Sequence, residues 1–219
     1  MKKLVIFDLD GTLLNTISDL GNAANHALAV NDFPTHSGAS YPMMVGNGVR
    51  KLIERALPAE HRDDRTVDRL LTDFRAYYDE HLCDTTLPYP GIPELLGALT
   101  ARSVNMAVAS NKYEEATRRL IEHFFGDISF AAVCGSVDGV PRKPDPSIVF
   151  RILGECPTPK AETLYVGDSA VDIETARRAC IESVGVSWGF RSVRELTAAY
   201  ADHIIQSPDE IISLVADKS

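Results

Sequence analysis

Asp8 and Asp10 stand two residues apart, directly behind the apolar run Leu4-Val5-Ile6-Phe7, and Gly11-Thr12 follow them. Three more polar clusters occupy comparable places: Ser110-Asn111-Lys112, Arg142-Lys143-Pro144-Asp145-Pro146, and Gly167-Asp168-Ser169-Ala170-Val171-Asp172. Brought together, Asp8, Asp10 and Asp168 repel one another unless a cation sits among them. A few hard oxygen ligands, with room left for water and phosphate oxygens, suit Mg²⁺ better than zinc. Such a cation screens a carboxylate from an incoming phosphate and polarises a phosphoryl oxygen. Lys143 and the Ser110 hydroxyl are candidates for holding the other oxygens, and backbone N–H groups around Gly11 and Asn111 add neutral donors where charge develops. Gly11 lets the chain turn beside a ligand without a Cβ in the way. Ser110 equally suits the cap of a following helix, and Asp172 an acid at a helix N-terminus.

These clusters need elements to position them. Short apolar runs at 4–7, 106–109, 131–134, 164–166, 184–186 and 203–205 alternate in the later chain with helical patterns at 114–124, 147–153, 171–179, 193–199 and 209–215. Runs without polar alternation are strands buried on both faces, and their alternation with helices predicts an α/β fold with a mostly parallel, Rossmann-like sheet. The polar clusters then fall at or just beyond the strands' carboxyl ends, where open parallel sheets bind ligands.

The stretch between Phe7 and Met106 is far longer than one connecting helix requires. It reads as helical at 16–30, with Ile17, Leu20, Ala24, Ala27 and Leu28 on one face, and again at 49–57 and 67–82. Thr85 to Gly91 carries two prolines and a glycine, suited to a stiff hinge. The expected organisation is an α/β core of residues 1–14 plus 86–219, with a small all-helical cap, 15–85, inserted after the first strand. Within that cap, Gly46-Asn47-Gly48 suits either an ordinary turn or a loop that brings backbone donors close to a small ligand, and Arg50 can pair with a carboxylate.

Bulk properties narrow the partners. The 219 residues are 45% hydrophobic and 24% charged, ordinary globular values. Twenty-two basic against 31 acidic side chains give a net charge of −9, which argues against nucleic acid and anionic membranes. A small anion in a locally basic pocket remains compatible. No run approaches the roughly 20 apolar residues of a membrane span. Cys83, Cys134, Cys156 and Cys180 form no C-x-x-C pair, as expected of core thiols in a reducing cytoplasm.

Asp8-Leu9-Asp10-Gly11-Thr12, Ser110, Lys143 and Gly167-Asp168-Ser169-x-x-Asp172 together resemble the four motifs of the haloacid dehalogenase-like hydrolases, in order and with compatible spacing. The resemblance implies Mg²⁺ as cofactor, Asp8 as the nucleophile on phosphorus, and Asp10 as general acid and base that also offers its backbone carbonyl to the metal. It makes Asp168 a metal ligand and Asp172 either a ligand or a partner of the ligands. An acid at position 10 matches the phosphatases of that superfamily rather than its dehalogenases, because an alkoxide leaving group must be protonated. The cap segment from Met44 to Arg50, Tyr89-Pro90-Gly91 and Gly185-Val186-Ser187-Trp188-Gly189 are similar to phosphoglycolate phosphatases. They imply a small phosphorylated acid as substrate, bound in part by Asn47, Gly48, Arg50, Gly11 and Asn111. A phosphomutase of the β-phosphoglucomutase type, or a pyrophosphatase, would share Asp8 and Asp10; a phosphate-binding module without turnover is a further alternative.

Overall fold

In the computed structural model, which describes residues 1–216, the first strand β1 (Leu4–Phe7) is wholly buried. Its side chains divide between two apolar layers. Val5 and Phe7 join Val108, Val166 and Val184 on one face, while Leu4 and Ile6 join Ala107, Ala109 and Tyr165 on the other. A strand covered on both faces has no use for polar alternation, which explains the unbroken apolar run.

Behind β1 come the two-residue strand β2 (Leu14–Asn15), helices α1 (Ile17–Ala29), α2 (Val49–Ala56) and α3 (Asp64–His81), and a second short strand β3 (Leu87–Pro88). The chain then alternates: α4 (Ile92–Ala101), β4 (Asn105–Tyr113), α5 (Glu114–Phe125), β5 (Ala132–Ser136), α6 (Ser147–Glu155), β6 (Thr163–Gly167), α7 (Ala170–Ala179), β7 (Glu182–Val186), α8 (Val193–Ala198), β8 (His203–Ile205) and α9 (Glu210–Val215). The main sheet runs β5-β4-β1-β6-β7-β8, with every pair parallel. This is the expected α/β, Rossmann-like architecture. The chain builds β4 and β5 on one side of β1 and then crosses to β6 on the other. Winding direction therefore reverses at β1, and crevices for ligands form at such switch points.

Residues 16–86 form the helical insertion. Helix α1 packs along α3, burying Leu20, Ala24, Ala27 and Leu28 together with Leu70, Phe74 and Tyr78. The insertion is joined to the sheet by an antiparallel ribbon that pairs Leu14 with Pro88 and Asn15 with Leu87. Two-residue strands carry no readable alternation, so the sequence suggested only a hinge here. Asp19, buried on α1, fixes the second crossing by accepting hydrogen bonds from the backbone N–H and hydroxyl of both Thr85 and Thr86. No helix among the described residues is long and apolar enough to cross a membrane. All four cysteines are free; Cys134 is buried, whereas Cys180 is exposed.

Helix α7 ends at Cys180, whose φ of 58° and ψ of 46° lie in the left-handed region. A side chain there carries a steric cost that glycine avoids. Cys180→Gly is expected to raise unfolding stability by about 1 kcal/mol, measured by urea denaturation. An unchanged or lower midpoint would mean that the cysteine's local contacts offset the backbone strain.

Candidate active site

The carboxyl ends of β1, β4 and β6 meet around Asp8. The Asp8 N–H donates to Val166 O at 2.8 Å, continuing the β1–β6 ladder one residue past the strand. The Lys143 ammonium arrives from the loop before α6 and spends its donors on Asp8 Oδ1, Asp172 Oδ1 and Ala109 O, each at 2.8 Å. Asn111 orients that loop: its Oδ1 accepts from the Lys143 N–H at 2.9 Å, and its Nδ2 donates to Lys143 O at 3.1 Å. The same Nδ2 reaches Gly46 O of the insertion at 3.1 Å.

Carboxylate oxygens of Asp8, Asp168 and Asp172 lie within 4.8 Å of one another, all three residues buried. This differs from the grouping expected of Asp8, Asp10 and Asp168. Gly11 turns the chain with a φ of +87°, and the Asp10 carboxylate faces the insertion instead. Its Oδ1 accepts from the Thr16 hydroxyl at 2.7 Å and lies 3.2 Å from Lys112 Nζ. Asp172, for its part, commits both oxygens to protein: Oδ1 to Lys143, and Oδ2 to the Ser169 hydroxyl at 2.6 Å and the Ser169 N–H at 3.2 Å. It serves as an anchor for the lysine and the start of α7. The oxygens left open for a cation are Asp8 Oδ2 and Asp168 Oδ1, since Lys143 holds the other oxygen of Asp8 and Phe190 N–H that of Asp168.

Asp168 is pinned from the far side. Its Oδ2 accepts from the Phe190 N–H at 2.6 Å. A Cβ on Gly189 would stand 2.3 Å from Asp168 Cβ and 2.4 Å from Gly11 O, so only glycine lets these two loops close on each other. Trp188 packs here as well, donating from Nε1 to Thr12 O at 3.1 Å. Ser110 is buried with its hydroxyl in the cavity beside Asp8 and Asp10, accepting from the Lys112 N–H at 3.1 Å. It caps no helix, because α5 begins four residues later, behind Tyr113.

The sequence profile of the haloacid dehalogenase-like hydrolases matches residues 5–186. The chain belongs to that family. It is 36% identical over 198 residues to a phosphoglycolate phosphatase of Mesorhizobium japonicum, covering 89% of this chain and 87% of that one. A phosphoglycolate phosphatase of Aquifex aeolicus is 30% identical over 216 residues, covering 97% and 96%. Among solved structures, a candidate phosphoglycolate phosphatase from Lactobacillus delbrueckii superposes with a TM-score of 0.92 at 31% identity, covering both chains completely.

In this haloacid dehalogenase-like hydrolase, the residues expected from the insertion are placed differently from one another. Gly48 lines the cavity with Asp8, Asp10 and Ser110. Asn47 is turned to Arg55, whose guanidinium donates to Asn47 Oδ1 and to Met44 O at 2.7 Å each. Arg50 lies outside that cavity. On α2 the buried positions are Leu52, Ile53 and Ala56, and the half-buried Arg50 lines a neighbouring cavity, where Asp64 and Asp68 of α3 bind its guanidinium. Arg50, expected to meet a substrate carboxylate, here pairs with Asp64 and Asp68 and does not line the cavity beside Asp8. Two residues to which the sequence assigned no role bridge core and insertion. Arg191 donates to Val45 O at 2.7 Å and to Pro42 O, and Lys112 donates to the Tyr78 hydroxyl at 2.9 Å.

Electrostatics follow from burial. The Asp8 carboxyl is pushed up to about 7, by burial first and then by Asp172, while Lys143 pulls against the rise. Asp168 stands well above the ordinary carboxylate range for the same reasons, burial and then Asp172 and Asp8. Burial alone would lower Lys143, but Asp172 and Asp8 outweigh it and hold the ammonium well above ordinary lysine. Once all three carboxyls are ionised, one ammonium leaves two negative charges, the complement of one divalent cation, and the all-oxygen donor set suits Mg²⁺.

The shift on Asp8 carries a sign that can be measured. The folded chain keeps a proton up to about 7 that the unfolded chain loses near 3.8. The associated stabilisation is therefore complete below the lower value and disappears as pH rises to the upper one. In EDTA, the stability difference between wild type and Asp8→Asn should move against the wild type by about 2 kcal/mol between roughly pH 5 and pH 7. Parallel pH dependence of the two melting curves would contradict the raised Asp8.

Proposed function

We propose that this protein is a Mg²⁺-dependent phosphomonoester hydrolase working through an aspartyl-phosphate on Asp8, with phosphoglycolate as its first substrate. The observation that carries the reading is the convergence of Asp8, Asp168, Lys143 and Ser110 on one crevice, with Asp10 set apart beside it. The names of the relatives support the substrate. Support also comes from the narrow crevice beside Asp8 and Asp10, which Leu20, Val45 and Leu52 close in from the insertion. A small ester suits it better than a sugar phosphate.

In the first half-reaction an Asp8 carboxylate oxygen attacks phosphorus, the bond from phosphorus to the ester oxygen breaks, and Asp10 gives that oxygen a proton. In the second half a water attacks the aspartyl-phosphate, Asp10 takes the proton back, and the bond between Asp8 and phosphorus breaks to release inorganic phosphate. Lys143 exchanges its bond to Asp8 for a phosphoryl oxygen while Asp172 and Ala109 O keep it in place. The Ser110 hydroxyl donates to another phosphoryl oxygen. Asp8, Asp168 and the backbone carbonyl of Asp10 would hold the Mg²⁺, which when bound supplies charge neutralisation at the phosphoryl group. Asp172 contributes by fixing Lys143 rather than as a ligand. The helical insertion covers the crevice and keeps out water other than the one that reacts.

Phosphate release from phosphoglycolate should require Mg²⁺, stop in EDTA, and fall by at least about 10³-fold in Asp8→Asn. Turnover that persists in EDTA, or an Asp8→Asn enzyme with near wild-type kcat, would defeat the proposal. Release from none of a broad set of phosphomonoesters would favour a binding module instead.

A further inference from the structure

Lys112 follows Ser110 and Asn111 next to the last residue of β4, and its side chain is 2% exposed. An ammonium has three donors. One lies 3.2 Å from Asp10 Oδ1, and another donates to the Tyr78 hydroxyl on α3 at 2.9 Å. The third meets no protein acceptor among the described residues. A buried ammonium with an unspent donor is costly unless an anion completes its shell.

Lys112 lines the same cavity as Asp8, Asp10 and Ser110, closed from the insertion side by the apolar side chains of Leu20, Val45 and Leu52. The other cations nearby are turned elsewhere: Arg142, close to Gly48, donates from Nε to Ser136 Oγ and does not line this cavity. Lys143 has all three donors engaged, Arg191 holds the carbonyls of Pro42 and Val45, and Arg50 lies outside with Asp64 and Asp68. A carboxylate entering this apolar-walled space has Lys112 as its partner.

The reach fits a particular substrate length. In the mechanism above, on which this inference rests, Asp10 touches the ester oxygen that leaves. Lys112 stands against that same Asp10 carboxylate. A charge-assisted hydrogen bond of about 2.8 Å from Lys112 therefore meets a group one or two carbons beyond the ester oxygen. We infer that Lys112 is the specificity-determining residue of this site, receiving the carboxylate of a phosphate ester of a two- or three-carbon 2-hydroxy acid. Tyr78 positions the ammonium from the insertion. The acid test of the substrate is thus made by the core, at the place where core and insertion meet, and not by Arg50.

The experiment compares kcat/KM for phosphoglycolate with that for ethyl phosphate, which has the same ester linkage and a similar length but no carboxylate. The wild type should prefer phosphoglycolate by about 100-fold or more. Lys112→Met should lower that preference by about 10- to 100-fold, the worth of one charged hydrogen bond; Tyr78→Phe should lower it by about 3- to 10-fold, and Arg50→Ala should keep it. A loss that falls equally on both substrates in Lys112→Met, leaving the ratio intact, marks a structural role and overturns the inference. So does a wild-type ratio near one, or a ratio lost in Arg50→Ala. Should Lys112→Met fail to fold by circular dichroism, an unchanged ratio in Tyr78→Phe decides against it. If the wild type with Mg²⁺ hydrolyses neither ester, the phosphatase reading itself fails. Hydrolysis of both without preference removes only the role of Lys112.

Discussion

The Lys143 ammonium, buried between Asp8 and Asp172 and facing Asp168 across the crevice, is the interaction around which the molecule is arranged. One positive charge cannot neutralise three carboxylates in a space that excludes water. The cost appears as a proton held unusually tightly on Asp8 and Asp168, which a divalent cation would relieve. The same imbalance places carboxylate oxygens that could hold a cation and a buried lysine at one point, as the proposed chemistry requires.

Holding that arrangement takes most of the fold's special features. The switch in winding direction at β1 opens the crevice. Gly11 and Gly189 allow two loops to approach where any side chain would strike Asp168. Asn111 ties the Lys143 loop to the end of β4 and, through Gly46, to the helical insertion. The β2–β3 ribbon and the Asp19 bonds to Thr85 and Thr86 fix where the insertion leaves the sheet. Core side chains then reach across to it: Arg191 to the loop before α2, and Lys112 to α3. Catalytic groups and covering helices are therefore one connected polar network.

Much of this was legible in the residues because burial and turn chemistry act locally. The run Leu4–Phe7 could only be a strand covered on both faces, and Asp8, Ser110 and Asp168 at strand ends follow from parallel-sheet geometry. What escaped the sequence depends on direction rather than identity. Asp10 is an acid beside an acid, yet the turn at Gly11 aims it toward Thr16 and Lys112. Arg50 shares its segment with cavity-lining Val49 and Leu52, but helical phase carries it outward to Asp64 and Asp68. Lys112 was visible next to Ser110; its burial was not, because β4 continues beyond the apolar run that announced it. The ribbon of β2 and β3 is too short to show a period, and Arg191 meets the insertion only through distant loops.

The central claim is that a phosphoryl group becomes bonded to Asp8. Its most direct test is an acid quench of the enzyme during turnover of phosphoglycolate with Mg²⁺, followed by peptide mass spectrometry. The account predicts a phosphoryl adduct on the peptide carrying Asp8, absent from Asp8→Asn and accumulating when Asp10→Asn slows its hydrolysis. Turnover with the adduct on another residue, or with none while Asp10→Asn still cleaves the ester, would contradict it.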